Sequence, residues 1–448
     1  MRIVLPVHHF PPRYSAGAEL YTFRLARWLI QHGHEAEVVC VEHIDAHGAN
    51  PIHARADVYE GVPVWRLDLD LHSAPSAWTF CNPAIREWFA GYLDERQPDL
   101  VHLQSGYLIT PSVLDAAHER GIPTVVTLHD FWFLCPRITL LHGDGSLCAG
   151  PPESPAACAW CERLTSRRYR LADTATVGQF GRIAQQIGLG TGEQFIAKRR
   201  AYLRAVLGQV DAVIAPSHFL AQQFHGMVAH DRLHVLRYGL DRTEQIISAV
   251  NPTEADLRLA YIGQIAPHKG VHTLIDAVRR LPIGGRPWQL TIWGDLQQHP
   301  DYTERLRHSI GADPRIHLAG RFENSRVSEV LGACHATVVP SLWYENSPLA
   351  IMEAHAAGRP VLTSALGGMA ELVRDEVDGL HFEPGNADDL ARQIERLRND
   401  PALLGRLACG TIPPATISAE MTVMLEIYES ITTARSSTME PIVCTPVY

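Results

Sequence analysis

The run Trp343-Tyr344-Glu345-Asn346-Ser347-Pro348-Leu349-Ala350-Ile351-Met352-Glu353 marks the start of a buried helix with a carboxylate on either side of its first turn. Ser347 is a good N-cap and Pro348 suits the first helical position. Gly358 followed by Pro360 predicts the end. Leu349, Ala350, Ile351, Met352, Ala354, Ala356 and Ala357 leave no polar face, so the spacing predicts a helix buried on all sides. Glu353 lies inside it. A buried carboxylate without donors is costly, so Glu353 needs partners in a ligand or in an internal salt bridge. Glu345 stands just ahead of the helix, where free amides point outward.

Upstream of this run, Thr337–Pro340 reads as a strand, and short β-rich runs alternate with helical patterns along the chain. Arg2–Val7, Glu37–Val41, Leu100–Leu103, Thr124–Leu128 and Ala212–Ala215 form one series of strands. Between the first two, a helix is predicted from Gly17 to about His32. After a loose stretch, Thr243–Glu254, the pattern restarts with Arg258–Ile262, then Leu290–Trp293, Ile316–Ala319, Thr337–Pro340 and Pro360–Ser364. Such alternation implies parallel sheets with helices on both faces. The fold class expected is α/β, with two Rossmann-like doubly wound domains. Residues 1–245 are expected to form the first and 256–412 the second, with a helix over 415–434 expected to lead back to the first. The tail after Ala434 is Ser/Thr/Pro-rich and is expected to be loose. Ligands of open parallel sheets bind beyond the carboxyl ends of the strands, so two such domains would face each other across a cleft.

Residues just after strands therefore carry the chemistry. The loop HHFPPRYSAGAE (His8–Glu19) lacks the G-x-G-x-x-G dinucleotide fingerprint, which opposes an NAD-dependent oxidoreductase. Its Gly17 opens a helix and would let backbone approach an anion, although a plain loop capped by Ser15 reads equally well. The restart strand ends in Gly263-Gln264-Ile265-Ala266-Pro267-His268-Lys269-Gly270. Lys269 is one of only two lysines, with Lys198, and a lysine at a glycine turn before a helix suits a phosphate. A solvated lysine at a helix cap is the plain alternative.

The chain has 448 residues, 46% hydrophobic and 20% charged, with net charge -10. No Lys/Arg run supplies the basic face that nucleic acid or an anionic membrane would call for. The opening MRIVLPVHHFPP lacks a charged n-region and apolar stretch, so no signal peptide is expected. No run approaches the ~20 apolar residues of a membrane span. Nine cysteines, an odd number, fit reduced thiols in the cytoplasm. Four of them crowd one segment: Cys135, Cys148, Cys158 and Cys161, the last two as C-x2-C. That pattern suits a structural tetrathiolate zinc site in a polar, Pro/Gly-rich insertion over 131–165. A set of unrelated buried thiols is the alternative.

Taken together, Glu345-x7-Glu353, the GQIAPHKG segment, the SAGAE loop and Leu128-His129-Asp130 resemble the large family-4 glycosyltransferases of the GT-B fold. Ala215-Pro216-Ser217-His218-Phe219 and Tyr238-Gly239-Leu240-Asp241 extend the resemblance over nearly the whole chain. It implies a retaining enzyme with a nucleotide diphosphate sugar as donor, UDP- or GDP-linked, and no catalytic divalent metal. By that resemblance the first domain takes the acceptor and the second the donor. His129, Glu345 and Lys269 are then the catalytic candidates. Gly17, Gly263, Gln264, Lys269, Asn346, Ser347, Leu349 and Glu353 line the donor, with Glu353 on the ribose, Glu345 on the sugar and Lys269 on the diphosphate. Gln264 departs from the family's usual arginine, so one phosphate cation is missing or comes from His268 or an arginine. A subset of the family carries similar cysteines after the His-Asp motif, which places the cluster on the acceptor side. Scarce lysine points to a GC-rich genome. The acceptor expected is a small natural product, as in antibiotic biosynthesis; a sugar-nucleotide epimerase and a transferase for lipid-linked oligosaccharide are the alternatives.

Overall fold

The computed structural model describes residues 1–44, 52–72, 74–176, 179–186, 192–241 and 256–438. The chain divides into two units. The first comprises Met1–Pro216, Leu220–Leu236 and the residues from Ser418; the second comprises Ser217–Phe219 and Arg237–Ile417. The expected linker, Thr243–Glu254, lies outside the described residues, and the chain changes unit at Arg237, before the expected boundary at residue 245.

The first unit holds strands β1 (Arg2–Val7), β2 (Glu35–His43), β3 (Ile52–Tyr59), β4 (Val62–Leu69), β5 (Leu100–Leu103), β6 (Thr124–Thr127), β7 (Ala212–Ala215) and β8 (Leu233–Val235). They form one sheet in the order β3-β4-β2-β1-β5-β6-β7-β8. Every pairing is parallel except the β3–β4 hairpin. Ile3 to Val7 are buried without alternation, as a strand covered on both faces requires. The hairpin was not foreseen. Its β3 alternates exposed and half-buried residues at the sheet edge, and its two-residue turn, Glu60-Gly61, has positive φ at both positions (44° and 84°).

The second unit holds β9 (Leu257–Ile262), β10 (Trp288–Trp293), β11 (Ile316–Gly320), β12 (Ala336–Val339), β13 (Val361–Ser364) and β14 (Gly379–Phe382). The order is β11-β10-β9-β12-β13-β14, all parallel. Its core has two layers. Leu257, Leu259 and Leu362 pack on one face with Leu274, Leu390 and Ile394, whereas Ala260, Val339 and Val361 pack on the other with Ile351, Ala354 and Met369. Neighbouring residues of one strand thus serve opposite faces, which is the doubly wound arrangement.

In chain order the helices are α1 (Gly17–Gln31), α2 (Pro83–Arg96), α3 (Ser112–His118), α4 (Pro155–Arg163), α5 (Arg167–Ala175), α6 (Gln179–Gln186), α7 (Glu193–Gln209), α8 (His218–Gln223), α9 (Val271–Arg279), α10 (Pro300–Ile310), α11 (Val327–Gly332), α12 (Leu349–Ala356), α13 (Gly367–Leu372), α14 (Ala387–Asn399), α15 (Pro401–Gly410) and α16 (Ile417–Thr438). Three expectations are corrected. Pro348, not Ser347, is the N-cap of α12, and the Ser347 hydroxyl turns to Met352 Sδ (3.5 Å) instead of capping. α12 is not buried on all sides: Ile351, Met352, Ala354 and His355 are buried, Glu353 is half-buried and Ala356 is exposed. Finally, α16 continues past Ala434 to Thr438. It belongs to the first unit from Ser418, where Tyr21 Oη donates to Glu420 (2.7 Å) and Tyr428 Oη meets His102 Nδ1 (2.5 Å).

Candidate active site

Strand order positions the chemistry. In the second unit β9 lies between β10 and β12, so the chain reverses its winding direction there and leaves a crevice beyond β9 and β12. The loop after β9 carries Lys269 and the loop after β12 carries Glu345. Residues 76 apart in sequence thus meet: Lys269 Nζ donates to Glu345 Oε1 at 2.5 Å. The Trp343 indole Nε1 (2.7 Å) and Ser341 Oγ (2.9 Å) donate to the same oxygen. The Lys269 ammonium also sits 5.0 Å from the centre of the Trp343 ring. Burial raises the Glu345 carboxyl, but the Lys269 charge and these three donors outweigh it, and the net shift is downward.

Lys269 closes a short 3-10 turn, Pro267–Lys269, and Gly270 caps α9 with φ 69°. A Cβ there would collide with the Pro340 carbonyl, so only glycine lets this turn reach the end of β12. The backbone also joins the loops, through Leu342 N–H to His268 O (2.8 Å). His268 shares this turn with Lys269. Burial and the adjacent Lys269 push its imidazole down to about 4, so it is neutral at pH 7. On the far side of Glu345, Gly368 N–H donates to the Glu345 carbonyl (2.8 Å).

Gly263 and Gln264 follow β9 directly, and the Gln264 carbonyl accepts from Tyr261 Oη (2.7 Å). Asn346, Ser347 and Leu349 follow Glu345 on the loop and first turn leading into α12. Glu353 stands in the second turn of that helix.

In the first unit the winding reverses at β1, which lies between β2 and β5. His8 follows β1, Gln104 follows β5 and His129 follows β6 after one residue. His129 Nε2 meets Gln104 Oε1 at 3.2 Å, and the Tyr21 ring lies edge-on at 4.9 Å. Burial, then the neighbouring His8, depresses the His129 imidazole to about 3. It is therefore a neutral hydrogen-bonding group. His8 Nε2 contacts Glu19 Oε1 at 3.2 Å, and Glu19 is buried at 4% exposure in the first turn of α1. Glu19 Oε2, His8 Nδ1 and Gln104 Nε2 are buried with no hydrogen-bond partner among the described residues. A Cβ at Gly17 would meet nothing within 4 Å, and Ser15 makes no cap, so packing within this unit does not demand that glycine.

Residues 16–179 match the family described as glycosyl transferase 4-like domain, and residues 243–409 match glycosyl transferases group 1. The chain belongs to this glycosyltransferase family. An alpha-D-kanosaminyltransferase of Streptomyces kanamyceticus is 30% identical over 295 residues, 65% of this chain and 66% of that one. A 2-deoxystreptamine glucosyltransferase of the same organism is 30% identical over 160 residues, 36% of this chain and 41% of that one. The chain thus spans just under two thirds of the first relative and less than half of the second. The solved structure of Anabaena Alr3699/HepE in complex with UDP matches with TM-score 0.62 at 18% identity, covering 96% of this chain and 100% of that one. The fold is GT-B.

In this glycosyltransferase the four clustered cysteines come together. Cys135, Cys148, Cys158 and Cys161 line a single small cavity in the first unit. Among the described residues, no set of three or more His, Cys, Asp or Glu side chains stands ready to hold a metal ion. The insertion is also less polar than expected: Trp160 and Leu164 pack with Ala184, against Tyr169 and Phe180. Among the described residues no helix is long and apolar enough to cross a membrane.

Several groups escaped the sequence reading. Glu19 stood inside the SAGAE motif but was not singled out, although it lies in the first turn of α1, three residues after the N-cap, and is buried there. Ser341 and Trp343, which complete the Glu345 site, have no signal beyond their nearness to Glu345.

Proposed function

We propose that this glycosyltransferase moves a sugar from a nucleoside diphosphate donor to a small polar acceptor with retention of configuration at the anomeric carbon. The observation that carries the reading is the Lys269–Glu345 pair at the winding reversal of the second unit, where a single lysine and a desolvated carboxylate meet beside helix termini. Lys269 balances the charge of the departing diphosphate. Glu345, whose Oε1 is saturated by three donors, turns Oε2 to the sugar hydroxyls. Glu353 holds the ribose, and the amides of Asn346, Ser347 and Leu349 face the distal phosphate; Pro348 has no N–H to offer. Gly263 and Gln264 let the chain pass close to the nucleotide.

The bond from the anomeric carbon to the diphosphate oxygen breaks, and the bond to the acceptor forms on the same face of the sugar. The acceptor proton passes to the leaving phosphate oxygen. Charge on the leaving group is met by preorganised dipoles and one ammonium, so the step is proposed without a divalent metal. In the first unit His129 offers a neutral hydrogen bond.

The buried His8–Glu19 pair, with its unused Glu19 Oε2, His8 Nδ1 and Gln104 Nε2, is assigned to acceptor hydroxyl or amino groups. The likeness to a 2-deoxystreptamine glucosyltransferase supports an acceptor of that polar kind. The test is a panel of UDP- and GDP-sugars with aminocyclitol acceptors, read by release of nucleoside diphosphate. Release that depends on acceptor supports transfer. Conversion of the nucleotide sugar to its epimer without acceptor would overturn it.

A further inference from the structure

We propose that Cys135, Cys148, Cys158 and Cys161 hold one structural zinc ion, in a site separate from the donor residues. The four thiols arrive from three pieces of chain. Cys135 sits in the turn after His129-Asp130. Cys148 follows the bridge between Leu141 and Leu147. Cys158 and Cys161 stand one helical turn apart on α4. All four line one cavity of about 40 Å³, room for a single small ion.

Backbone donors reach two of the four sulfurs. The backbone N–H groups of Arg137 and Leu140 face the Cys135 sulfur, and that of Gly143 faces Cys161. Gly143 is a glycine of necessity, because a Cβ would strike the Cys161 carbonyl and Leu164. The insertion loop is thereby pressed onto α4.

Charge gives an independent argument. Arg200 Nη2 lies 2.9 Å from Cys158 Sγ, Arg137 is in the cavity wall, and Arg199 is buried at 3% exposure with its guanidinium on the Trp132 carbonyl. Among the described residues none of these three arginines forms an ion pair within 4 Å, and Glu162 is the carboxylate in the cavity wall. Arg137 and Arg200 are half-buried, and buried Arg199 already feels the carboxylates of Glu162 and Asp130. Four thiolates on one Zn²⁺ carry a net charge of -2 and would add to that balance.

The thiols do not stand at ligand spacing as they are: Cys148 Sγ donates to the Gly150 carbonyl (3.2 Å), and Cys158 Sγ faces Arg200. Binding therefore removes the thiol protons and turns the sulfurs inward to about 2.3 Å from the metal. Four protein sulfurs leave no open position for water or substrate. The role is structural, tying the insertion to α4 and α7.

The experiment uses the full chain, purified without metal-affinity resin. Elemental analysis should find one zinc per chain. Replacement by Co²⁺ should give the visible bands of a tetrahedral centre with thiolate-to-cobalt charge transfer in the near ultraviolet. The four cysteines should resist alkylation until a chelator is added. Cys161→Ser should lose stoichiometric zinc. Should that variant fail to fold, the cobalt spectrum and alkylation pattern of the wild-type chain still decide. Zinc-free protein with four alkylatable thiols, or a disulfide between any two of them by mass spectrometry, would overturn the proposal. Binding of UDP or GDP should survive chelation, so failure of the zinc site and failure of the donor reading are read separately.

Discussion

Replacing Lys269 by alanine should damage turnover and stability through one contact. The ammonium is 2.5 Å from Glu345 Oε1, and the two side chains are only 20% and 13% exposed. Removing one preorganised charge stabiliser costs roughly 10²–10³ in turnover, about 2.7–4 kcal/mol. Breaking a fully buried pair costs about 3–5 kcal/mol of stability, because the remaining charge is stranded. Here Lys269 keeps some water, and Ser341 and Trp343 still donate to Glu345, so about 2 kcal/mol is expected for the second unit. At about 2–4 °C per kcal/mol, Tm should fall by roughly 4–8 °C. The double variant Lys269→Ala/Glu345→Gln should recover most of that Tm, since no charge is stranded, but none of the turnover. The assay is kcat at saturating donor beside differential scanning fluorimetry of the same preparations. Near-native kcat in Lys269→Ala would refute the phosphate role. An equal Tm loss in the single and double variants would refute the pairing argument.

Other expectations follow from the same geometry. Glu353→Ala should mainly weaken nucleoside diphosphate binding, because ribose contacts differ little between ground and transition states; isothermal titration against UDP and GDP checks this, and an unfolded variant would point to an internal salt bridge. Glu19→Gln should lower kcat/KM for the acceptor while leaving the donor Kd within about twofold, since it removes the acceptor-side charge only. Stability should fall with pH in a definite window. His129 and His268 are held neutral in the fold, at about 3 and about 4. Their contribution is complete above the unfolded value near 6.5 and is lost as pH drops from there toward 4. Glu345, shifted down, adds a loss only below about 4.5. Tm measured from pH 8 to 4 should begin to decline near 6.5, and His268→Asn should flatten that decline; a Tm constant down to pH 5 would contradict it.

The parts of this structure that were legible in the sequence are those set by local burial. Strands covered on both faces, such as Arg2–Val7 and Ala212–Ala215, read as unbroken apolar runs, and the observed strands have those bounds. The β3–β4 hairpin did not, because an edge strand carries polar residues that look like loop. Candidate site residues were found by their place just after strands. Their pairing was not found: Lys269 and Glu345 meet only because β9 and β12 are neighbours, a fact of strand order that sequence spacing does not encode. The complete burial expected for α12 failed for a related reason. α12 begins beside the crevice beyond β9 and β12, and its first turn and the position of Glu353 are less covered than its apolar composition implies.

Glycosyl transfer with retention is read from the anomeric configuration of the first-formed product. Proton NMR should follow reaction of an α-linked UDP- or GDP-sugar with an acceptor identified in the panel, so that the new linkage cannot mutarotate. An α-linked product is expected, shown by the small coupling of its anomeric proton for a gluco-configured sugar. A β-linked product would contradict it, while leaving the fold and the family untouched.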